Sequence, residues 1–171
     1  MIVPRHIDRA AEVERAIAAK GYPHIRKTAL EAEAGDQVSL KNTVLIVDTI
    51  GDLLGLYSIA SAAFVGGSLT DRGGQNMLEP AALGVPTIFG PHVKNFQDSA
   101  DLLLSLDGAK MVRDTYELAA TLDFLRDNPV KSVDMALCGR EAALKQRGAT
   151  EKTLDKLRQV LAETEDPCDK A

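Results

Sequence analysis

Tryptophan is absent from this chain and aromatic residues make up only 4% of it, so its core must be built from aliphatic side chains. No apolar run approaches the roughly 20 residues a membrane-spanning helix needs, which excludes attachment through such a helix. Basic runs are missing too. With Lys+Arg at 20 and Asp+Glu at 25 the net charge is −5, a balance that argues against a nucleic-acid binder. Cysteine is limited to Cys138 and Cys168, far apart, and reduced thiols in a cytosolic protein are the simplest reading. The histidines His6, His24 and His92 show no ligand spacing such as H-x-x-x-H, so no metal site is expected. Neither G-x-G-x-x-G nor G-x-x-x-x-G-K-[ST] occurs, which argues against dinucleotide and nucleoside-triphosphate binding. G-x-S-x-G is missing as well, and with it the nucleophile elbow of a hydrolase. The opening Met1-Ile-Val-Pro-Arg-His6 carries charge too early for a signal peptide.

Short β-branched runs alternating with helical patterns are what the sequence does contain. A length of 171 residues suits one domain, or one with a small appendage. Met1–Val3 reads as the stub of a strand, as though the chain began mid-fold. A helix is expected from Ile7 to Lys20, with Ala10, Val13 and Ile17 on one stripe and Gly21 as its stop. Strands are expected at His24–Thr28, Val44–Val47, Ala62–Val65, Thr87–Phe89 and Ala109–Val112, and a loop from Glu31 to Asn42. Helices are expected to end at Tyr57 and to span Met77–Leu83, Asn95–Leu106, Thr115–Arg126, Val130–Lys145 and Glu151–Ala162. Residues 163–171, charged and with Pro167, read as a disordered tail. The alternation predicts an α/β fold: a Rossmann-like parallel sheet with helices on both faces. In such sheets a ligand lies beyond the carboxyl ends of the strands.

The candidate site residues fall at those ends. Arg5 and His6 follow the first strand, where the guanidinium can fork two donors onto a phosphate. The plainer alternative is a surface arginine paired with Asp8. Gly51 sits in the turn after Val47, where a ligand can approach the backbone and the next helix presents its N–H groups. The alternative is an ordinary N-cap in which Asp48 or Thr49 serves that same helix. The strongest signal is Gly66 to Pro80. Gly66 and Gly67 free the strand end of side chains, and Gly73 and Gly74 permit positive φ. Asn76 and Glu79 stand three apart at a helix start. They form either a capping box or a ribose site, in which Glu79 accepts from two adjacent hydroxyls. His92, Lys94, Asn95 and Asp98 line either a sugar pocket or a solvated loop.

Taken together, Pro4-Arg-His6, Asp48-Thr-Ile-Gly-Asp52, Phe64-Val-Gly-Gly-Ser68, Arg72-Gly-Gly-Gln-Asn-Met-Leu-Glu-Pro80 and Gly90-Pro-His-Val-Lys-Asn-Phe96 closely resemble the 3-deoxy-D-manno-octulosonic acid (Kdo) transferases. The resemblance runs from Met1 to about Leu106 and loosely to Ala162. It implies the C-terminal, donor-binding half of a two-domain GT-B glycosyltransferase that moves Kdo from CMP-Kdo to lipid A by inverting displacement. On this implication residues 1–162 form the CMP-sugar domain, and the acceptor-binding N-terminal domain, with its general base, is not present. Arg5 would hold the phosphate, Gly51 would approach the nucleotide, and Asn76 with Glu79 would sit at the CMP. Arg5 and Glu79 would then grip opposite ends of one moiety. The family requires no metal and no cofactor. Three stretches depart from its pattern: Ile7-Asp-Arg9 replaces Pro-Glu-Arg, Gly51-Asp-Leu53 replaces Gly-Glu-Leu, and Gln75 replaces a histidine.

Alternatives remain at this stage: a GT-B relative that uses a UDP-sugar, or a nucleotide-binding module without catalysis. The partners implied are the CMP-Kdo donor, a lipid A precursor acting through the missing domain, and either a second copy of the chain or a complementing N-terminal half. Nucleic acid is not among them. The location implied is the cytoplasm, or the cytoplasmic face of the inner membrane for the complete enzyme.

Overall fold

The computed structural model describes residues 1–32, 40–146 and 149–164, the last stretch with side chains at 154–161. The chain divides into two compact units, Met1–Leu56 and Tyr57–Ala171.

The first unit is built on strands β1 (His24–Arg26) and β2 (Val44–Ile46), parallel and in register His24 to Val44 and Arg26 to Ile46. Ile2 bridges to Ile46 as an isolated partner, through Ile2 N–H to the Leu45 carbonyl at 2.8 Å and Val47 N–H to the Ile2 carbonyl at 2.9 Å. The expected Met1–Val3 strand is therefore a single bridge. Pro4, which has no N–H to continue a ladder, follows directly. A 3-10 turn (Ile7–Arg9) leads into α1 (Ala10–Ala18), whose Ala10 and Ile17 pack on Ile46 with Val13 and Val44. Helix α1 ends two residues before the expected Lys20. There the last turn tightens through Lys20 N–H to Ile17 and Gly21 N–H to Ala18, and Gly21 takes φ 74. Strand β1 also stops early, at Arg26. Its next residues open α2 (Lys27–Ala32), because the Thr28 N–H is taken by Asp48 rather than by a strand partner. Of the loop expected from Glu31 to Asn42, residues 31–32 are helical and 33–39 lie outside the described residues. Helix α3 (Leu53–Ser58) follows the Gly51 turn.

The second unit holds β3 (Ala63–Val65), β4 (Thr87–Phe89) and β5 (Ala109–Met111), all parallel in the order β3-β4-β5. Helix α4 (Leu78–Ala82) connects β3 to β4, and α5 (Gln97–Ser105), entered through a 3-10 turn at Lys94–Phe96, connects β4 to β5. Then come α6 (Thr115–Asp127), α7 (Pro129–Lys145) and α8 (Ala149–Thr164). Successive strand residues point to opposite faces, and each face has its own core. Phe89 joins Val65, Met77, Ala81, Leu103 and Ala142. Its neighbour Ile88 joins Val112 and Leu125, with Leu118 and Met135 packed alongside. Helices therefore cover both faces, as expected.

The helix ends have local causes. Asp114 caps α6 by accepting from Tyr116 and Glu117 N–H, each at 2.8 Å. Pro129 opens α7, where its missing N–H costs nothing. Helix α4 closes in a Schellman motif. Val85 N–H reaches the Pro80 carbonyl at 3.0 Å, Gly84 N–H reaches Ala81 at 2.9 Å, and Gly84 has φ 72. Helix α7 comes so near the turn before β5 that a Cβ on Gly108 would stand 2.6 Å from the Gly139 Cα. The expected tail at 163–171 begins inside α8, which runs to Thr164; the rest of it, with Cys168, lies outside the described residues.

Candidate functional site

In the second unit the candidate residues cluster at the carboxyl ends of β3 and β4. The chain leaves β3 through Gly66 and Gly67 and turns back at Ser68, which is 0% exposed. The Ser68 hydroxyl donates to the Val65 carbonyl and accepts from Gly90 N–H at 2.8 Å, while its carbonyl accepts from His92 N–H at 2.9 Å. Gly67, Gly73 and Gly74 take φ of 71, 79 and 74, a region that costs any other residue about 1–2 kcal/mol. Gly74 N–H closes the loop on the Gly67 carbonyl at 3.1 Å. Asn95 N–H donates to the Gly73 carbonyl at 3.3 Å, and its side-chain amide occupies the place a Gly73 Cβ would need, 2.3 Å away. Lys94 pairs with Asp71 at 3.3 Å. The glycine loop and the loop after β4 are thus tied by four contacts. Gly66 differs from its neighbours: its φ is ordinary and a Cβ there meets nothing within 4 Å.

Asn76 and Glu79, both half-buried, come together at the start of α4. The Asn76 carbonyl oxygen accepts from Leu78 N–H at 3.1 Å, and its NH2 donates to the Glu79 carboxylate at 3.0 Å. This is not a capping box. Met77, already helical at φ −87 and ψ −12, holds the cap position, so Asn76 stands one residue earlier and Glu79 meets its side chain instead of a backbone N–H. Burial pushes the Tyr57 hydroxyl above its ordinary value and the Glu79 charge adds to the shift, which puts Tyr57 in the field of that carboxylate.

In the first unit Arg5 and His6 lie exposed between the Ile2 bridge and the 3-10 turn, which opens with Arg9 N–H on the His6 carbonyl at 3.0 Å. Arg5 has no ion-pair partner among the described residues. The pairing with Asp8 is not formed; Arg9 binds Glu12 instead, at 2.7 Å. Gly51 is exposed with φ 96 and open space around it. The alternative N-cap at this turn is not what forms either. Asp48 accepts from the N–H and hydroxyl of Thr28 at 3.0 and 2.7 Å, so it serves the first turn of α2, and Thr49 donates to Asp52. Burial alone would raise the Asp48 carboxyl, but the Thr28 hydrogen bonds outweigh it and hold the group below the usual aspartate range. Asp52 is lowered by the Thr49 hydroxyl and by Lys27, whose ammonium also meets Glu31.

Sequence reasoning missed Ser68 as a structural pivot, and missed Lys27 and Tyr57. Ser68 had a signal: a small polar residue directly after a buried strand and two glycines. Lys27 and Tyr57 had none, since only the fold brings them to Asp52 and Glu79. Among the described residues no three metal-ligating side chains come together, and no helix is long and apolar enough to cross a membrane. A depression of about 620 Å³ at the amino end of β1, bordered by Tyr22, His24 and Thr43, includes none of the candidate residues.

Parallel strands with helices on both faces, and a glycine-rich loop at the carboxyl end of β3, define a Rossmann-like α/β domain of the kind that forms half of a GT-B glycosyltransferase. No protein-family model matches the chain. It is 42% identical over 130 residues to the 3-deoxy-D-manno-octulosonic acid transferase of Chlamydophila psittaci, covering 74% of this chain and 28% of that protein. It is 33% identical over 157 residues to the enzyme of the same name from Bordetella pertussis, covering 92% of this chain and 36% of that one. Its fold matches the crystal structure of the C-terminal CMP-Kdo binding domain of WaaA from Acinetobacter baumannii. The TM-score is 0.72 and the identity 26%, over 85% of this chain and 73% of that one. The chain is therefore a relative of the Kdo transferase family and matches its C-terminal part. It spans about a third of the length of these curated relatives.

Proposed function

We propose that the chain is the donor-binding part of a Kdo transferase and that residues 1–162 form a site for CMP-Kdo. The observation that carries this reading is the match in fold, at a TM-score of 0.72 and 26% identity, to a domain described as binding CMP-Kdo. The loop geometry supports it. The carboxylate of Glu79, held by Asn76, suits a ribose diol, because one carboxylate accepts from two adjacent hydroxyls. Gly66, exposed and without a side chain, and the welded Gly67–Gly74 loop leave backbone open to the nucleotide. Arg5, exposed and without an ion pair, supplies charge-assisted hydrogen bonds to the phosphate; His6 stands beside it.

The reaction of the complete enzyme follows from this. An acceptor hydroxyl on a lipid A precursor attacks the anomeric carbon of Kdo, the bond to the phosphate oxygen breaks with inversion, and CMP leaves with the bonding pair. Stabilising that leaving phosphate is the work of the donor half. A general base to take the acceptor proton belongs to the N-terminal half of such an enzyme. The complementing half, or a second copy of the chain, is its partner. The complete enzyme works in the cytoplasm or at the cytoplasmic face of the inner membrane.

Calorimetric titration of the chain with CMP, UMP and ADP tests the reading. Selective heat of binding with CMP is expected. Equal affinity for all three, or none for any, overturns it.

A further inference from the structure

We propose that Ser68 is a positioning residue for the donor site: it makes the loop after β3 and the loop after β4 move as one body. The inference rests on the donor-site reading above for its functional half and on geometry for the rest. Ser68 is 0% exposed, so its hydroxyl does not touch a ligand. That hydroxyl nevertheless both donates and accepts. It donates to the Val65 carbonyl at the end of β3 and accepts from Gly90 N–H at the end of β4. Its own carbonyl accepts from His92 N–H. One residue therefore supplies three hydrogen bonds across two strand ends.

The approach is close enough to dictate the partner. A Cβ on Gly90 would stand 2.3 Å from the Ser68 carbonyl oxygen, where no real Cβ fits, so the path of the backbone through Ser68 requires glycine at position 90. The coupling then spreads outward. Gly67 precedes Ser68 and receives Gly74 N–H; Gly73 precedes Gly74 and receives Asn95 N–H from the second loop. Ser68 thus closes a ring that runs from β3 through the glycine loop to Asn95 and back along the second loop to Gly90. The ring carries the glycine-loop backbone proposed above to face the nucleotide, and on this proposal the part it faces is the phosphate, whose charge suits backbone N–H groups. Pre-ordering such a surface is what lets an anion bind without first ordering the loop.

The test compares wild type with Ser68→Ala in the full 171-residue chain, using amide exchange by NMR and titration with CMP and with cytidine. Removing the hydroxyl should speed exchange at Gly90 and also at Gly74 and Asn95, which make no bond to it. CMP binding should weaken about tenfold, the size of one buried hydrogen bond, with cytidine affinity unchanged. Exchange that quickens only at Gly90, or CMP and cytidine weakened alike, overturns the proposal. A wild type that binds no nucleotide sinks the donor-site reading, while the exchange arm still decides whether Ser68 couples the loops. If Ser68→Ala does not fold, Ser68→Cys, which keeps a weak donor in the same place, carries the same readouts.

Discussion

The side-chain amide of Asn76 donates to the Glu79 carboxylate at 3.0 Å while its carbonyl oxygen accepts from Leu78 N–H, so one residue both starts α4 and aims the acid beside it. On the donor-site reading these roles separate by mutation. Glu79→Gln removes the charge that favours a diol, and CMP affinity should fall about tenfold, to that of 2′-deoxy-CMP. Asn76→Ala leaves the acid in place but unaimed. CMP affinity should fall by less, and unfolding should cost roughly 1 kcal/mol less, as for one lost hydrogen bond. Titration with the two nucleotides and thermal denaturation check both. Undiminished discrimination against 2′-deoxy-CMP in Glu79→Gln removes Glu79 from the ribose.

The glycines of the loop are not equivalent, and their differences predict stability. Gly73→Ala forces a side chain into positive φ and against the Asn95 amide, 2.3 Å from the new Cβ. A loss of at least 1–2 kcal/mol is expected from the backbone alone, about the cost of the left-handed region. Gly66→Ala meets open space at an ordinary φ and should change stability by under about 0.5 kcal/mol. If its Cβ instead occupies space that the nucleotide needs, CMP binding will weaken without any loss of stability. Equal melting temperatures for the two variants would contradict this account of the loop.

Legibility followed the range of the interaction. Strands at Thr87–Phe89 and Val44–Ile46 were readable because a buried parallel strand is a plain apolar run. The positive φ of Gly73 and Gly74 was readable too, because only backbone freedom explains paired glycines there. The end of β1 was not. His24–Thr28 has strand propensity throughout, and what stops the strand at Arg26 is Asp48, twenty residues on, capturing the Thr28 N–H. Asn76 and Glu79 are identified by spacing; of the two readings left open there, the capping box does not form, and the one-residue shift of the cap to Met77 that prevents it leaves no mark in the letters. Ser68 shows in the letters only its place after a buried strand and two glycines; its partner Gly90, far along the chain, is brought against it by the fold.

The Asp48–Thr28 clamp makes the first unit acid-sensitive. The folded carboxyl titrates below its unfolded value, so its stabilisation is fully present above about pH 4 and is lost as the pH falls through the depressed folded value. Asp48→Asn should lower the melting temperature at neutral pH and flatten its decline below pH 5. Thr28→Val, which keeps the N–H bond and deletes the hydroxyl one, should fall between. Melting curves recorded from pH 7 to 3 decide the matter; parallel declines in wild type and Asp48→Asn would assign the acid sensitivity elsewhere.

Arg5 separates binding from stability most cleanly. It is exposed, and no carboxylate pairs with it among the described residues, so its removal takes nothing from the fold. If it grips the donor phosphate, Arg5→Ala should weaken CMP binding about tenfold to a hundredfold, the range for a charged hydrogen-bonding group. Cytidine, which has no phosphate, should bind as before. Arg5→Lys should recover only part of the loss, since an ammonium cannot present the planar fork. The wild-type affinity for CMP should also fall with added salt more steeply than that of Arg5→Ala, because the phosphate contact is exposed to screening. A variant that binds CMP and cytidine with unchanged affinities, at an unchanged melting temperature, would show that the arginine does not touch the donor.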